Sequence, residues 1–372
     1  MEIETTYDAI IIGGGLAGLS LAILLAQEKR SILLIEKGAY PRHKVCGEYI
    51  SLESWDFVER LGIPLSEMNL PKMDALTISS ENGLELKSEL DLGGFGISRF
   101  ALEELLYKKA VELGGIVKTK TNYISYTKKA DIFEVETTDG IFAAKVLCGA
   151  FGKYAPKKFY KKNDEKHNWV GVKYHIRYSH PANEIVLHNF DGGYCGMSKI
   201  EDDKSCLCYI VQQKMLSKSG NDIVRMENEI LRRNPNLETI FSEAEFLFDK
   251  PQVISNVTFN VKKPTHDGVF YLGDSAGTIA PLSGNGMSNA FRSASLLSQS
   301  LRLFFNQEVA LDAALANYRK DWDNAFSGRI KLGRILQHFF CKKNLNAASI
   351  RLLKYAGPIH KFIIRKTHGE PF

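Results

Sequence analysis

The chain has 372 residues, 44% of them apolar and 24% charged, with 30 Gly and 11 Pro; this excludes disordered and fibrous classes and leaves room for two to three domains. Six cysteines (Cys46, Cys148, Cys195, Cys206, Cys208, Cys341) show neither a C-x-x-C pair nor zinc spacing, so they read as reduced thiols of a cytoplasmic protein rather than a disulfide framework. The net charge of +5 is uneven: residues 311–372 carry 12 Lys and Arg against four acids, and the remainder of the chain is net negative.

The longest apolar run, AIIIGGGLAGLSLAILLA at 9–26, approaches the length of a membrane span. Its flank MEIETTYD is acidic where a secretory n-region would be basic, and three glycines interrupt it. A strand followed by a buried helix is therefore expected, with no export signal. Gly13-x-Gly15-x-x-Gly18 follows the strand directly, and a second strand, SILLIE, ends at Glu36. Gly13 serves a tight turn, Gly15 the close approach of a pyrophosphate, and Gly18 the packing of helix on strand. The helix N-terminus offers unpaired N–H groups to phosphate, and Glu36 can accept from a ribose diol. This unit points to a dinucleotide with an ADP moiety, and both NAD and FAD satisfy it.

Next comes PRHKVCGEYIS, residues 41–51, with Cys46 in a short polar loop between a basic run and Gly47-Glu48. MDALTISSENGLELKSEL, residues 73–90, reads as a hairpin about Asn82-Gly83. A helix is expected over 100–114, then strands leading to GAFGKYAPKK. The stretches WVGVKYHIRY, EIVLHNF, GGYCGMSKI and SCLCYIVQQ alternate as four more strands, covered by a helix from Asp222 to Arg233. Together with the hairpin they should form an antiparallel sheet that roofs the ligand, with the substrate pocket beneath it. Cys206 and Cys208 share one strand face and read as packing residues, as does Cys148. The histidines form no metal constellation, and His43, His175 and His188 read as surface or strand residues.

VFYLGDSAGTIAPLSGNGMSNAFRSASLLSQSL, residues 269–301, is a short strand, a loop of small residues and a long helix. Asp274 at the strand end suits the hydroxyls of a polyol. Gly284, Gly286 and Met287 at the helix start let backbone approach a flat, partly anionic ring. An ordinary strand-loop-helix crossover would read the same way. Taken with GxGxxG and Glu36, LGDSAGTIAPLSGNGMSNA resembles the para-hydroxybenzoate-hydroxylase-like FAD superfamily. Within it, PRHKVCGEYIS is similar to the loop of the geranylgeranyl reductase branch. ISRFALEELLYKKAVELGG, residues 97–115, resembles the family segment whose arginine, here Arg99, lies near the cofactor's phosphates and ribityl chain.

The resemblance implies FAD as cofactor, with Lys37, Arg42, Cys46 and Gly47 in the cofactor-binding set and Cys46 and Gly47 beside the ring system. Cationic neighbours Arg42 and Lys44 would lower the Cys46 thiol, fitting it for proton transfer or redox tuning; Glu48 would be a general acid if burial raised its pKa. Two departures stand out. Phe151 replaces the acid of the family's Gly-Ala-Asp-Gly stretch, which argues against ordinary NADPH use and leaves NAD(P)H at most a transient donor. GGYCGMSKIEDD, residues 192–203, stands where flavin halogenases and many reductases carry an aromatic-rich motif, and the committed lysine of halogenase chemistry does not stand out.

The expected fold class is α/β: a Rossmann-type FAD-binding domain split in sequence (1–72, 100–155, 262–310), an antiparallel substrate domain (73–99, 156–261) and a C-terminal helical region (311–372). The expected function is monooxygenation or double-bond reduction of a hydrophobic isoprenoid, polyene or aromatic molecule. A flavin-dependent halogenase or a non-catalytic escort protein of the same fold are the alternatives. The basic tail reads as helices packed on the core or, more sharply, as a peripheral contact with anionic lipid; nucleic acid is disfavoured for want of a reader fold.

Overall fold

The computed structural model describes residues 6–153, 169–257, 262–278, 284–340, 350–351 and 369–372. Pro281, Cys341, the end of GAFGKYAPKK and most of the last basic stretch lie outside the described residues. From the N-terminus, β1 (Thr6–Ile12), α1 (Leu16–Gln27) and β2 (Ile32–Ile35) are followed by β3 (Tyr49–Ser51) and α2 (Trp55–Arg60). The hairpin β4 (Lys72–Ser79) and β5 (Glu85–Gly96), α3 (Arg99–Glu112), β6 (Ile116–Lys118), β7 (Tyr123–Lys129), β8 (Ile132–Thr137) and β9 (Gly140–Gly149) come next. Then stand β10 (Trp169–Arg177), β11 (Glu184–Phe190), β12 (Gly193–Lys199), β13 (Ser205–Gln212), α4 (Gln213–Lys218), α5 (Ile223–Glu229) and α6 (Pro235–Glu243). Short strands β14 (Glu245–Phe246), β15 (Gln252–Val257), β16 (Thr265–His266) and β17 (Val269–Tyr271) lead to the long helices α7 (Gly286–Phe305) and α8 (Leu311–Phe340).

The first sheet runs β16-β17-β9-β1-β2-β6, with β8 and β7 added as a meander on β9. β17, β9, β1, β2 and β6 are parallel neighbours. Because both faces are covered, β1 and β2 are continuous apolar runs rather than alternating ones, and Ala9 to Ile12 and Ile32 to Ile35 are buried. α1 packs against α3 and α7 as well as the sheet, which is why it too is apolar nearly all round. Ser98 caps α3, its hydroxyl accepting from Ala101 N at 3.1 Å.

The second sheet runs β14-β10-β13-β12-β11-β4-β5-β3, with β15 also on β10. One face carries Val172, Tyr174, Leu207, Tyr209 and Val211 against Leu231, Leu237 and Ile240 of the small helical cover; Asp222 and Asn234 cap α5 and α6. The turn at Asn82-Gly83 closes the hairpin with Gly83 at φ +82°. The sheet is antiparallel except between β4 and β11, which run parallel from Ala75↔Glu184 to Ser79↔His188. Alternation along a strand sets which face is buried but not the direction of its neighbour, so that pairing left no local signal in the chain. Tyr49–Ser51, read with the nucleotide-binding part, forms an edge strand of this sheet on β5. α8 packs Tyr318, Trp322 and Phe326 into the main core, and the Tyr318 hydroxyl donates to Tyr271 O at 2.7 Å. Among the described residues no helix is long and apolar enough to cross a membrane.

Candidate active site

The turn after β1 has little room. Gly13 sits at φ +106°, and a Cβ there would stand 2.5 Å from Ala150 O. A Cβ on Gly18 would fall 2.0 Å from Gly13 O. Gly15, the N-cap of α1, differs: its added Cβ would meet only Lys44 Nζ at 3.5 Å and Arg99 Nη2 at 3.7 Å. Two cations thus face the open N-terminus of a 12-residue helix, the arrangement that holds a phosphate.

Two buried carboxylates organise those cations. Glu36 accepts from Gly14 N at 2.7 Å, Gly38 N at 2.8 Å and Arg42 Nη1 at 2.6 Å. Burial pushes its carboxyl up, but Arg42, the Gly38 N–H and Lys44 outweigh burial and pull it down to about 2. Glu103, fully buried on α3, is ion-paired with Lys44 at 3.1 Å and with Arg99. Burial is the largest influence on Lys44 and pulls it down to about 8; Glu103 opposes this, while Arg99 and Arg42 add to it. Three cations therefore share two acids, and the buried Nε–H groups of Arg42 and Arg99 meet no acceptor. One positive charge is left over beside the open helix N-terminus, with two unpaired N–H donors, and an anionic pyrophosphate suits both, so the residues present fit a dinucleotide.

The loop after β2 begins with a cis Tyr40–Pro41 peptide and carries Cys46 and Gly47 over the second sheet. Arg42 and Lys44 are turned to Glu36 and Glu103, and the guanidinium by the Cys46 thiol is that of Arg99. Gly47 is exposed, with nothing within 4 Å of an added Cβ. Glu48 departs from the expectation. Its side chain is fully buried, accepting from Lys173 Nζ at 2.5 Å, His175 Nε2 at 2.6 Å and Arg99 N at 2.8 Å. Burial pushes the carboxyl up, but His175 and Lys173 outweigh it and hold it below its ordinary value. Glu48 is therefore an ionised acceptor, and the raised pKa that a general acid needs is absent.

A single cavity of about 780 Å³ joins these parts. Gly13, Gly15, Glu36, Lys37, Arg42, Cys46, Gly47 and Arg99 line one stretch; Asp274, Gly284, Gly286 and Met287 line another. Asp274 follows β17, where Gly273 N donates to Ser293 Oγ at 2.8 Å. Gly284, at φ +67°, faces the Tyr49 ring. Phe151 lines the cavity and packs edge-on to Tyr271. The far wall is aliphatic: Leu76, Ile78, Leu86 and Leu90 of the hairpin with Ile185, Leu187 and Leu336. Apart from Gly18, which packs against Gly13 and Ala150 instead, the cofactor-binding residues expected from the sequence border one space.

Sequence reasoning missed Glu103, Lys173 and His175 as a group. His175 is a strand residue, as expected, but it is buried and bonded to Glu48 rather than idle. Gly171, Lys173 and His175 at alternate positions of an otherwise apolar strand were the available signal. Cys206 and Cys208 do share a face; Cys206 donates to Cys46 O at 3.2 Å and Cys208 lines the cavity. Cys148 is buried at its strand end, and burial pushes its thiol up.

A family model described as an FAD binding domain matches residues 6–324. Conditioned medium factor receptor 1 of Dictyostelium discoideum is 22% identical over 90% of this chain and 71% of its own length. Digeranylgeranylglycerophospholipid reductase of Methanosphaerula palustris is 24% identical, over 88% of this chain and 84% of that one. Tryptophan 2-halogenase of Chondromyces crocatus is 20% identical over 88% and 67%. Two further relatives match over only 41% and 37% of their lengths. The flavin-dependent brominase Bmp2 superposes with a TM-score of 0.80 at 18% identity, covering 98% of this chain and 93% of that one. PqsL of P. aeruginosa, in complex with 2-aminobenzoylacetate, gives 0.76 at 19%, covering 92% and 99%. At these identities the solved structures establish the fold. The chain belongs to the FAD-binding domain family; its cofactor is FAD, and it is an oxidoreductase with an apolar chamber for a small hydrophobic molecule. A reductase and a halogenase match it about equally, so the geranylgeranyl reductase branch is not singled out.

Proposed function

We propose that this member of the FAD-binding domain family oxidises an apolar aromatic or polyene molecule with oxygen, in the chamber between the Cys46–Gly47 loop and the nine-stranded sheet. The observation that carries this reading is continuity. One cavity runs from the phosphate-binding turn past Cys46 and Gly47 to the aliphatic wall of Leu76, Ile78, Leu86 and Leu90. FAD, when bound and reduced by an external two-electron donor, would supply two electrons and the activation of oxygen. The chain's own part is to grip the phosphates through Lys44, Arg99 and the α1 N-terminus and to keep water from the reacting face. The aliphatic wall binds by burial rather than by charge.

Oxygen chemistry is favoured over double-bond reduction by the named relatives. Among them are a brominase, a tryptophan halogenase and PqsL, captured with an aromatic ligand, against a reductase. The test is anaerobic reduction of the FAD-loaded protein by dithionite, followed by oxygen and a panel of phenols, indoles and polyenes. The expected product carries one added oxygen atom. A product with two added hydrogens, formed without oxygen, would replace this reading with double-bond reduction, and reoxidation that no apolar compound couples to a product would sink it. With Phe151 in place of an acid, NADPH should bleach the flavin far more slowly than dithionite does.

A second reading is halogenation. Lys153 lines the cavity two residues after Phe151, and its amine is the group that would carry a halogen to substrate. Bromide added to the same assay would then give a brominated product, and Lys153→Met would abolish it while leaving flavin reoxidation intact.

A further inference from the structure

Beneath the Cys46–Gly47 loop lies a buried group that the reaction described above does not use. Strand alternation puts Gly171, Lys173 and His175 of β10 on one face, with Ile210, Cys208 and Cys206 of β13 opposite them in register. The loop lies on this patch, with Val45 Cγ1 only 3.1 Å from where a Cβ on Gly171 would stand. Donors from three strands take its carbonyls: Lys173 Nζ to Lys44 O at 3.2 Å, Cys206 Sγ to Cys46 O at 3.2 Å, and Ser198 Oγ to Gly47 O at 3.3 Å. Glu48 then turns back into the same patch. It holds φ +57°, a left-handed conformation that is unfavourable for a side-chain-bearing residue. The bonds from Lys173, His175 and Arg99 N offset that cost and keep the turn.

Ligand atoms of Glu48, His175 and Cys206 lie within 4.8 Å of one another, a donor set that would suit zinc. A cation is already there. The Lys173 ammonium is fully buried and ion-paired with Glu48, and a metal ion beside it would meet its charge almost unscreened. Lys173 takes the place that a metal would otherwise fill.

We propose that Lys173 is a positioning residue for the isoalloxazine half of FAD: from beneath, it fixes the loop whose Cys46–Gly47 backbone meets the ring. The ADP half is held by the glycine turn, Glu36 and Arg42, none of which touches Lys173, and by the side chains of Lys44 and Arg99, which the Lys173–Glu48 pair meets only through the backbone Lys44 O and Arg99 N. This inference rests on FAD binding alone and is independent of which oxidation or reduction follows.

ADP and FAD are therefore the two probes, titrated against the full chain. Lys173→Met is close in shape and uncharged, but it leaves Glu48 buried without its partner, a loss that can unfold a protein. The double variant Lys173→Met with Glu48→Gln removes both charges and restores that balance. In the double variant, and in the single one if it folds, FAD affinity should fall at least tenfold while ADP affinity stays within about twofold. The bound flavin's visible bands should shift toward those of free FAD. A merely structural ion pair predicts otherwise: the double variant would recover FAD affinity together with stability, or both ligands would be lost in parallel. Either result would overturn the assignment.

Discussion

Replacing Gly15 and Gly18 separately by alanine should split cofactor binding from folding. Gly15 has φ −89° and ψ −172°, a conformation open to any residue, and its new methyl would meet only Lys44 Nζ and Arg99 Nη2 at ordinary contact distances. Stability should change by about 1 kcal/mol or less, the scale of an N-cap substitution. That methyl, however, stands where the pyrophosphate must approach the helix N-terminus. Losing two charge-assisted hydrogen bonds, at roughly 1.5–3 kcal/mol each, weakens FAD by about 3 kcal/mol or more, on the order of a hundredfold in Kd. Gly18→Ala reverses the pattern. Its methyl would lie 2.0 Å from Gly13 O and 3.2 Å from Ala150 Cβ, and a backbone oxygen cannot rotate away. α1 must lift from the sheet, at the upper end of the ~1–3 kcal/mol typical of overpacking. Urea unfolding of the apoprotein and quenching of FAD fluorescence read the two effects separately. FAD bound normally by Gly15→Ala, or an unmoved unfolding midpoint in Gly18→Ala, would refute the reasoning.

Glu36 is depressed from about 4.3 in the unfolded chain to about 2 in the folded one. Its contribution, on the order of 3 kcal/mol, is present above pH ~4.5 and lost as pH falls toward 2; Glu36→Gln should flatten that limb of the stability–pH curve, and an unchanged limb would contradict the assignment. Arg329 of α8 pairs at 3.3 Å with Glu53, whose side chain is fully buried. Arg329→Met strands that carboxylate and should cost about 3 kcal/mol in urea unfolding; a change below about 0.5 kcal/mol would mean that the pair does not hold α8 in place. Leu76→Trp fills the aliphatic end of the cavity, so FAD should bind as before while turnover of apolar compounds disappears. Retained turnover would place the substrate elsewhere.

Local signals carried far. The spacing of Gly13, Gly15, Gly18 and Glu36 sets a β-α-β unit because every part of it is made within thirty residues. Asn82-Gly83 marked the hairpin for the same reason, since its turn demands a positive φ at one position. The loop at 41–51 could be read as cofactor-facing only through its resemblance to a family, because nothing in PRHKVCGEYIS says what it lies against. The general-acid role for Glu48 failed at that point. Burial alone would have raised its pKa, and the two side chains that reverse the sign come from β10, more than 120 residues further along the chain.

From the sequence by itself came the nucleotide unit, the alternation that makes Gly171, Lys173 and His175 share a face, and the surplus of positive charge in the tail. Only the tertiary structure decided that this face lies under Glu48, 125 residues from Lys173 and 127 from His175 in the chain. It also decided that β3 joins β5, and that β4 runs parallel to β11. The physical reason is the same in each case. A two-residue period tells which side of a strand is buried, and a glycine tells where the chain must turn. Neither carries information about which distant segment supplies the partner, so ionisation states and strand directions set by those partners appear only when the chain has closed on itself.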